Sequence, residues 1–397
     1  MRRTFDIVLF GATGFTGRLV AEYLATHAPA ETRIALAGRN TTRLEQIRAG
    51  LPAGARAWPL LVADSGDAAA MQRLAEQTTV VCTTVGPYAK YGLPLVEACA
   101  KAGTHYCDLT GETQFMRDSI DRAMDTAKAS GARIVHTCGF DSIPSDLGVL
   151  ALHEALGKLL RVTYVVEVLK GGFSGGTVAS ALNGLDEAKV DKARRRIMGD
   201  PYALSPKRDE EPKLGDERDL ASFRFDEFTG KWVAPFIMAS VNTRVVRRSN
   251  ALLGYAYGRQ FKYAEVMGMK NLVAAATFTA GLGLFMAGVL FGPTRKLVES
   301  RLPKPGEGPD EHSRKNGFLK VKLHAESEGG VKKVLTITGQ GDPGYQLTSL
   351  ILGQSALCLA LDGEKLPKVA GVLTPATAMG RVLIDRLVAA GMTFSLD

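Results

Sequence analysis

The 397-residue sequence predicts an α/β protein: a Rossmann-type, doubly wound parallel sheet followed by a second α+β domain that contains an antiparallel sheet. Three observations carry this. Over about the first 140 residues, short apolar runs alternate with helical patterns across short connections, the rhythm of parallel strands and crossover helices. A glycine-rich turn, Gly11-Ala-Thr-Gly14-Phe-Thr-Gly17, directly follows the first apolar run. Residues 318–337 alternate polar and apolar side chains on both sides of Gly329-Gly330, the pattern of strand, turn and antiparallel strand.

Taken in order, residues 5–10 (FDIVLF) read as a buried first strand and 16–27 as the helix after the glycine turn. Strand 33–38, helix 43–50, strand 57–63 and helix 68–76 follow, then a fourth strand at 79–85 ended by Gly86-Pro87. Helix 94–102 is closed by Gly103, and strand 105–109, helix 116–130 and strand 133–138 complete the alternation. The middle is less regular. Residues 200–220 and 301–316, rich in Pro and charge, read as exposed loops, the first a candidate lid. Near the end, 373–390 reads as one amphipathic helix starting at Thr374-Pro375.

Hydrophobic residues make up 46% and charged residues 23%, an ordinary globular balance. The net charge of +8 is uneven: the first 150 residues hold 15 basic and 15 acidic side chains, so the excess lies beyond them. Two basic runs occur there, Lys192-Ala-Arg194-Arg195-Arg196 and Arg244-Val-Val-Arg247-Arg248. Such runs read as solvated faces, with a lipid headgroup or a phosphopantetheine carrier as the alternative. Aromatic interleaving and zinc-finger spacing are missing, so nucleic acid is not expected as a partner. Cys82, Cys99, Cys107, Cys138 and Cys358 are odd in number and form no C-x-x-C. Neither a disulfide framework nor a metal site is expected, and a reducing, cytoplasmic setting follows. The opening Met-Arg-Arg precedes a short apolar run that carries Asp6, which suits a first strand better than a secretion signal.

The glycine turn sits where a dinucleotide needs it. Gly11 permits the tight turn, Gly14 lets backbone approach a pyrophosphate, and Gly17 lets the helix pack close to the sheet. Thr13, Phe15 and Thr16 lie on the same turn, and the helix start offers free N–H groups to phosphate. The second strand ends Ala37-Gly38-Arg39-Asn40, without the carboxylate that would bind a ribose 2′-hydroxyl. Arg39 instead suits a 2′-phosphate, so the expected cofactor is NADP(H). Asp64, after the third strand, is a partner for the adenine amine or a cap for the next helix. Thr84 and Gly86 end the fourth strand, beneath the expected nicotinamide ribose.

Such a cofactor carries the hydride, so the protein must orient substrate and manage a proton. Tyr88, Lys90 and Tyr91, then Asp108, Thr110 and Glu112, then Asp141, Ser142, Ser145 and Asp146 follow three successive strands and should converge on one crevice. Tyr88 is the candidate acid. Each has a bland alternative: Tyr88 packs on the cofactor, Asp108 and Glu112 cap the next helix, Asp141 serves a turn. His136, inside an apolar strand, reads as buried. The Tyr-x-x-x-Lys pair of short-chain reductases is absent from the expected region.

Between Lys270 and Arg295 lie 24 uncharged residues, 271–294, flanked by Arg259 and Lys262 before and Lys296 and Arg301 after. That is long enough to cross a bilayer. A buried core helix, an interfacial segment in lipid and a true span all remain open; Gly281, Gly283, Gly288 and Gly292 weaken a simple long helix. The interfacial reading places the protein at the inner face of the plasma membrane, and either of the first two suits a long, oily substrate.

GATGFTG, AGR, VGPYAKYG, GTHYCDLTGE, CGFDSIPSDLG and the closing GVLTPATAMG together resemble the saccharopine dehydrogenase-like oxidoreductases, most of all the bacterial trans-acting enoyl reductases of complex-lipid synthesis. The resemblance covers about the first 150 and the last 27 or so residues. It implies NADPH-dependent reduction of a double bond in a lipid or polyketide acyl chain, free or carrier-bound. It implies cofactor roles for Gly11, Gly14, Gly17 and Arg39, and a C-terminal helix that returns to the first domain. The expected division is therefore 1–143 with 371–397 for the dinucleotide and 144–370 for substrate and lipid, with a homodimer left open. A saccharopine-type amino-acid dehydrogenase and a non-catalytic lipid-surface protein are the competing readings.

Overall fold

The computed structural model describes residues 3–171, 186, 191–301 and 308–397. The chain opens with β1 (Phe5–Phe10), α1 (Phe15–His27), β2 (Ile34–Gly38), α2 (Thr41–Gly50), β3 (Leu60–Val62), α3 (Ala68–Glu76) and β4 (Thr78–Thr83). It continues through α4 (Tyr88–Tyr91), α5 (Leu93–Ala102), β5 (His105–Cys107), α6 (Thr113–Ser130), β6 (Arg133–Val135), α7 (Ile143–Leu156) and β7 (Leu159–Lys170). Then come α8 (Lys192–Gly199), β8 (Arg224–Asp226), β9 (Lys231–Pro235), α9 (Ala239–Leu252), β10 (Lys262–Met269), α10 (Leu272–Leu290), α11 (Gly292–Glu299) and α12 (Glu311–Lys315). The last part holds β11 (Phe318–Ser327), β12 (Lys332–Gln340), α13 (Thr348–Leu361), β13 (Gly371–Leu373), α14 (Pro375–Ala378), α15 (Gly380–Ala389) and β14 (Thr393–Leu396).

The first sheet runs β13-β6-β5-β4-β1-β2-β3 and every pairing in it is parallel. Its inner strands are covered on both faces, so β2 is buried along its whole length and reads as continuous apolar sequence. The second sheet runs β14-β12-β11-β7-β10-β9-β8. Only its β7–β10 pairing is parallel; the hairpin of β11 and β12 turns at Gly329-Gly330 as the alternation predicts.

One apolar core joins the two sheets. Leu9, Cys82 and Cys107 of the first sheet, Leu147 and Leu152 of α7, Ile351 and Leu352 of α13, and Leu323 and Ile337 of the second belong to a single cluster. Two pieces of chain depart from a division at 143 and 371. α13 lies between those limits yet packs on α1, β1, β4 and β5, while β14 pairs with β12 at the edge of the second sheet. The expected single helix at 373–390 is also two. Thr374 caps α14 through a capping box with Thr377, and the chain breaks at Met379 before Gly380, whose φ is +53°, opens α15.

The basic run of α9 is not a solvated face. Arg244, Arg247 and Arg248 are buried and satisfy a stretch of chain that has little secondary structure of its own. Arg248 donates to the carbonyls of Leu204 and Val372, Arg247 to those of Pro201, Glu217 and Tyr263, and Arg244 pairs with Asp219. Residues 202–205 are buried as a result, so 200–220 is pinned in place and does not stand free as a lid. The Lys192–Arg196 run is mostly exposed, with Arg194 paired to Asp118. Of the 301–316 loop, 308–316 contains α12; 302–307 lies outside the described residues.

Asp146 fastens α7 to two other helices. Its carboxylate accepts the Ser249 hydroxyl of α9 and the Ala376 N–H of α14. Burial outweighs these donors and pushes its pKa up to about 7. Because the folded value exceeds the unfolded one, the stability linked to this group is full below about pH 4 and is lost as pH rises through about 7. Calorimetric Tm values should therefore fall less between about pH 5 and 8 in Asp146→Asn than in the wild type; equal slopes contradict the assignment.

Candidate functional site

The crevice lies beyond the C-terminal ends of β1, β2, β4, β5 and β6, where open parallel sheets bind ligands. Its floor is the turn between β1 and α1. Gly11 takes φ +93°, and a Cβ there would come within 2.8 Å of Thr84 Oγ1 and Val85 Cγ2. A Cβ on Gly17 would lie 2.1 Å from the Gly11 carbonyl oxygen, so only glycine lets α1 start this close to the turn. The Thr84 hydroxyl donates to that same carbonyl at 3.2 Å, which ties the end of β4 to the loop. Gly14 is the N-cap of α1 and no side chain caps the helix, leaving its first N–H groups to a ligand. The Thr13 and Thr16 hydroxyls have no protein partner among the described residues. Gly86 is exposed at the crevice edge.

Arg39 emerges at the end of β2, exposed and without an ion pair among the described residues. Asn40 caps α2 through the Arg43 N–H, and Arg43, four residues after Arg39, is a second exposed guanidinium without an ion pair among the described residues. Sequence reading passed over Arg43 because a helical arginine looks like ordinary surface. Asp64 does not cap α3; Asp67 does, and Asp64 accepts the Gly66 N–H in a tight turn with its carboxylate exposed.

Phe15 behaves differently from the rest of the turn. Its ring meets Tyr345 edge-on at 5.2 Å, lies 5.5 Å from the Arg314 guanidinium and abuts Gly308. The second half of the chain thus closes over the start of α1. Arg314 donates to the Pro309 carbonyl, while its buried Nε has no hydrogen-bond partner. No local signal marked Arg314 or Tyr345, since the contact joins residues some 300 apart in sequence.

The three candidate groups separate into distinct tasks. Tyr88 is 4% exposed, and its hydroxyl donates to the Thr83 carbonyl at 3.3 Å inside the first sheet's core. Burial, then the Asp108 carboxylate, pushes its pKa well above the usual phenol value. A proton donor for the crevice needs access that this position lacks. Lys90 and Tyr91 stay at the surface. Glu112 caps α4, accepting the N–H groups of Tyr88 and Ala89 at 2.9 and 2.8 Å. Asp108 is saturated: Tyr106 donates to it at 2.8 Å, the N–H groups of Thr110 and Thr137 at 3.1 and 3.0 Å, and His136 Nδ1 lies 2.7 Å away. His136 Nε2 reaches the Ser119 hydroxyl at 2.7 Å, so the histidine is buried and structural. Thr137, at φ +61°, is held in the left-handed region by this node.

On the third strand's side, the Ser142 hydroxyl donates to Asn242 at 2.8 Å. Asn242 and Tyr263 in turn donate to Glu265, whose pKa burial pushes up to about 7. Ser145, fully buried beside this cluster, leaves its hydroxyl without a partner at hydrogen-bond geometry. Asp141 stands apart. It is half-exposed and no side chain or N–H among the described residues bonds its carboxylate. The protein around it desolvates the charge and raises its pKa to about 6. Among the described residues no cluster of three His, Cys, Asp or Glu could hold a metal.

Residues 7–135 match the saccharopine dehydrogenase NADP binding domain family. A trans-acting enoyl reductase of Mycobacterium bovis is 43% identical over 411 aligned positions, covering 98% of this chain and 97% of the relative. The chain belongs to the saccharopine dehydrogenase-like oxidoreductases, among the trans-acting enoyl reductases. The Mycobacterium leprae member of this family is 42% identical over 408 positions, and a Mycobacterium tuberculosis protein provisionally named as one reaches 49%, both with the same coverage. The apo saccharopine dehydrogenase (L-Glu forming) of Saccharomyces cerevisiae shares the fold, with a TM-score of 0.50 and 13% identity over 98% of this chain and 99% of that one. The family's NADP-binding domain therefore coincides with the uncapped turn and the unpaired Arg39. Gly17→Ala should abolish NADPH binding measured by calorimetry. Arg39→Ala should weaken NADPH about ten- to hundredfold and leave NADH nearly unchanged. Undiminished preference for NADPH in that variant would refute the 2′-phosphate assignment.

Proposed function

We propose that this protein is an NADP(H)-dependent enoyl reductase acting on a conjugated acyl thioester of a lipid or polyketide chain, in the building of complex lipids. One observation carries the reading: an uncapped, glycine-lined helix start beside an unpaired Arg39, in a chain 43% identical along its length to a named trans-acting enoyl reductase. The turn residues Gly11, Thr13, Gly14, Phe15, Thr16 and Gly17 cradle the pyrophosphate, Phe15 through its N–H and not its ring. Arg39 takes the 2′-phosphate, Asp64 faces the adenine, and Thr84 and Gly86 border the nicotinamide ribose. Arg314 approaches the same phosphates from the second half.

When bound, the dinucleotide supplies a hydride to the β-carbon of the acyl group. The chain must then deliver a proton to the α-carbon. Of the candidates that follow β4, β5 and β6, Asp141 alone pairs a free carboxyl with partial exposure and a raised pKa. At pH 7 about a tenth of it is protonated, far more than of an ordinary carboxyl, which suits a general acid. Tyr88, Glu112, Asp108 and Asp146 are committed to the fold. A saccharopine-like substrate, with several carboxylates, would call for guanidiniums in the crevice. Arg244, Arg247 and Arg248 are instead spent on carbonyls and Asp219.

NADPH should be consumed with an α,β-unsaturated acyl thioester, and saccharopine should not be oxidised with NADP; the reverse result favours the amino-acid dehydrogenase. Because Asp141 must be protonated, kcat should decline as pH rises through about 6. Asp141→Asn should lower kcat by about 10²- to 10⁴-fold and remove that decline. Tyr88→Phe should keep kcat within about threefold, since its hydroxyl serves only one buried carbonyl.

A further inference from the structure

The helix α10 is apolar and largely uncovered, touching the sheet beside β8, β9 and β10 along one side, where Ala275 and Val289 are buried. It spans 19 residues with mean hydropathy 1.9, yet 11% of its most apolar window is buried inside the protein. Val273 is 70% exposed, Leu284 75% and the adjoining Phe291 62%. At 100° per residue, Leu272, Val273, Phe278, Leu284 and Phe285 fall around most of the circumference. The buried-core reading of 271–294 is thus overturned. A protein groove covers one side of a helix; a helix apolar on most sides calls for a surrounding apolar medium.

Sheet topology decides how such a helix can meet a bilayer. β10 immediately precedes it and pairs with β7; β11, which follows, pairs with the other edge of β7. Both ends of the excursion therefore return to one sheet. A span would put β11 on the far side of the membrane from β7. The way back, 291–317, carries Arg295, Lys296, Glu299, Arg301, Lys304, Glu307, Asp310, Glu311, Arg314 and Lys315, which excludes a second crossing. The spanning reading falls on this ground.

We infer that α10 seats in one leaflet of an anionic lipid bilayer, apolar body among the acyl chains and basic flanks in the headgroups. Charge at both ends of the helix supports this occupant. Lys270 before it, and Lys296 and Arg301 after it, are exposed and have no ion pair among the described residues. Asn271 to Thr294 carries no charge at all. The helix is about 28 Å long at 1.5 Å per residue. With a span excluded by the sheet topology, cations at both ends reach the phosphates of one leaflet together when the helix lies along the surface. This placement stands independently of the reduction chemistry, although an enzyme docked in this way could draw an oily acyl chain directly from the leaflet.

The experiment uses the full chain. All five native cysteines are buried, so a thiol placed by Leu284→Cys at an exposed position accepts an environment-sensitive fluorophore selectively. NADPH binding of the labelled protein serves as the check on folding. Vesicles of phosphatidylcholine with one part in three phosphatidylglycerol should shift the emission to the blue. Nitroxides on outer-leaflet acyl chains should quench it, and partition should be at least about tenfold stronger than to pure phosphatidylcholine at low salt. Combining Lys270→Glu with Lys296→Glu should remove most of that preference. Unchanged emission with both vesicle types overturns the inference. So does equal quenching from the inner leaflet, which means a span, or a blue shift that grows with protein concentration in the absence of lipid, which means a second copy covers the helix.

Discussion

The first sheet cannot be closed by the residues that build most of it. Its β1, β4 and β5 present Leu9, Cys82 and Cys107 on one face, and such a face must be covered. α1 and α2 cover part of it. The remainder is covered by α13, more than 200 residues further along, and β13 adds the last strand beside β6. The rest of the architecture follows from this requirement. The second sheet is anchored through the same core, α7 is trapped between the two, and the mouth of the crevice is fixed by contacts such as Phe15 with Tyr345.

The interior polar groups divide by how completely they are satisfied. Asp108 gathers two N–H groups, a phenol and an imidazole; Asp146 a hydroxyl and an N–H; Glu265 an amide and a phenol. Leaving a buried carboxyl of this kind without one of its donors costs about 1–3 kcal/mol, so these groups hold elements together. Asp141 has none of these partners and keeps some access to solvent. An ionisable group left in that condition is costly to the fold, which is why such groups concentrate where chemistry is done.

Much of the nucleotide-binding half was legible in order. Alternation and the glycine spacing located each strand and crossover of 5–135 to within a few residues, and Arg39 stood out because a carboxylate was missing. The candidate acids were not separable in the same way. Tyr88, Glu112, Asp108, Asp141 and Asp146 all follow strand ends, and only the direction of each side chain distinguishes a helix cap from a free acid. The arginines of α9 misled for a related reason: a basic run looks solvated until unpaired carbonyls are found facing it. The break at Met379–Gly380 was hidden because the apolar period continues across it.

By itself, the sequence determined local events: which segments are apolar enough to be strands, where backbone must pass without a Cβ, and that 24 residues carry no charge. These depend on neighbours a few positions apart. Tertiary structure alone decided which carboxyl remains free among the described residues, which guanidiniums are consumed, and that the chain before and after α10 returns to one sheet. Each of those turns on groups brought together from distant parts of the chain, and for α10 on a single strand, β7, that bonds the segments before and after it.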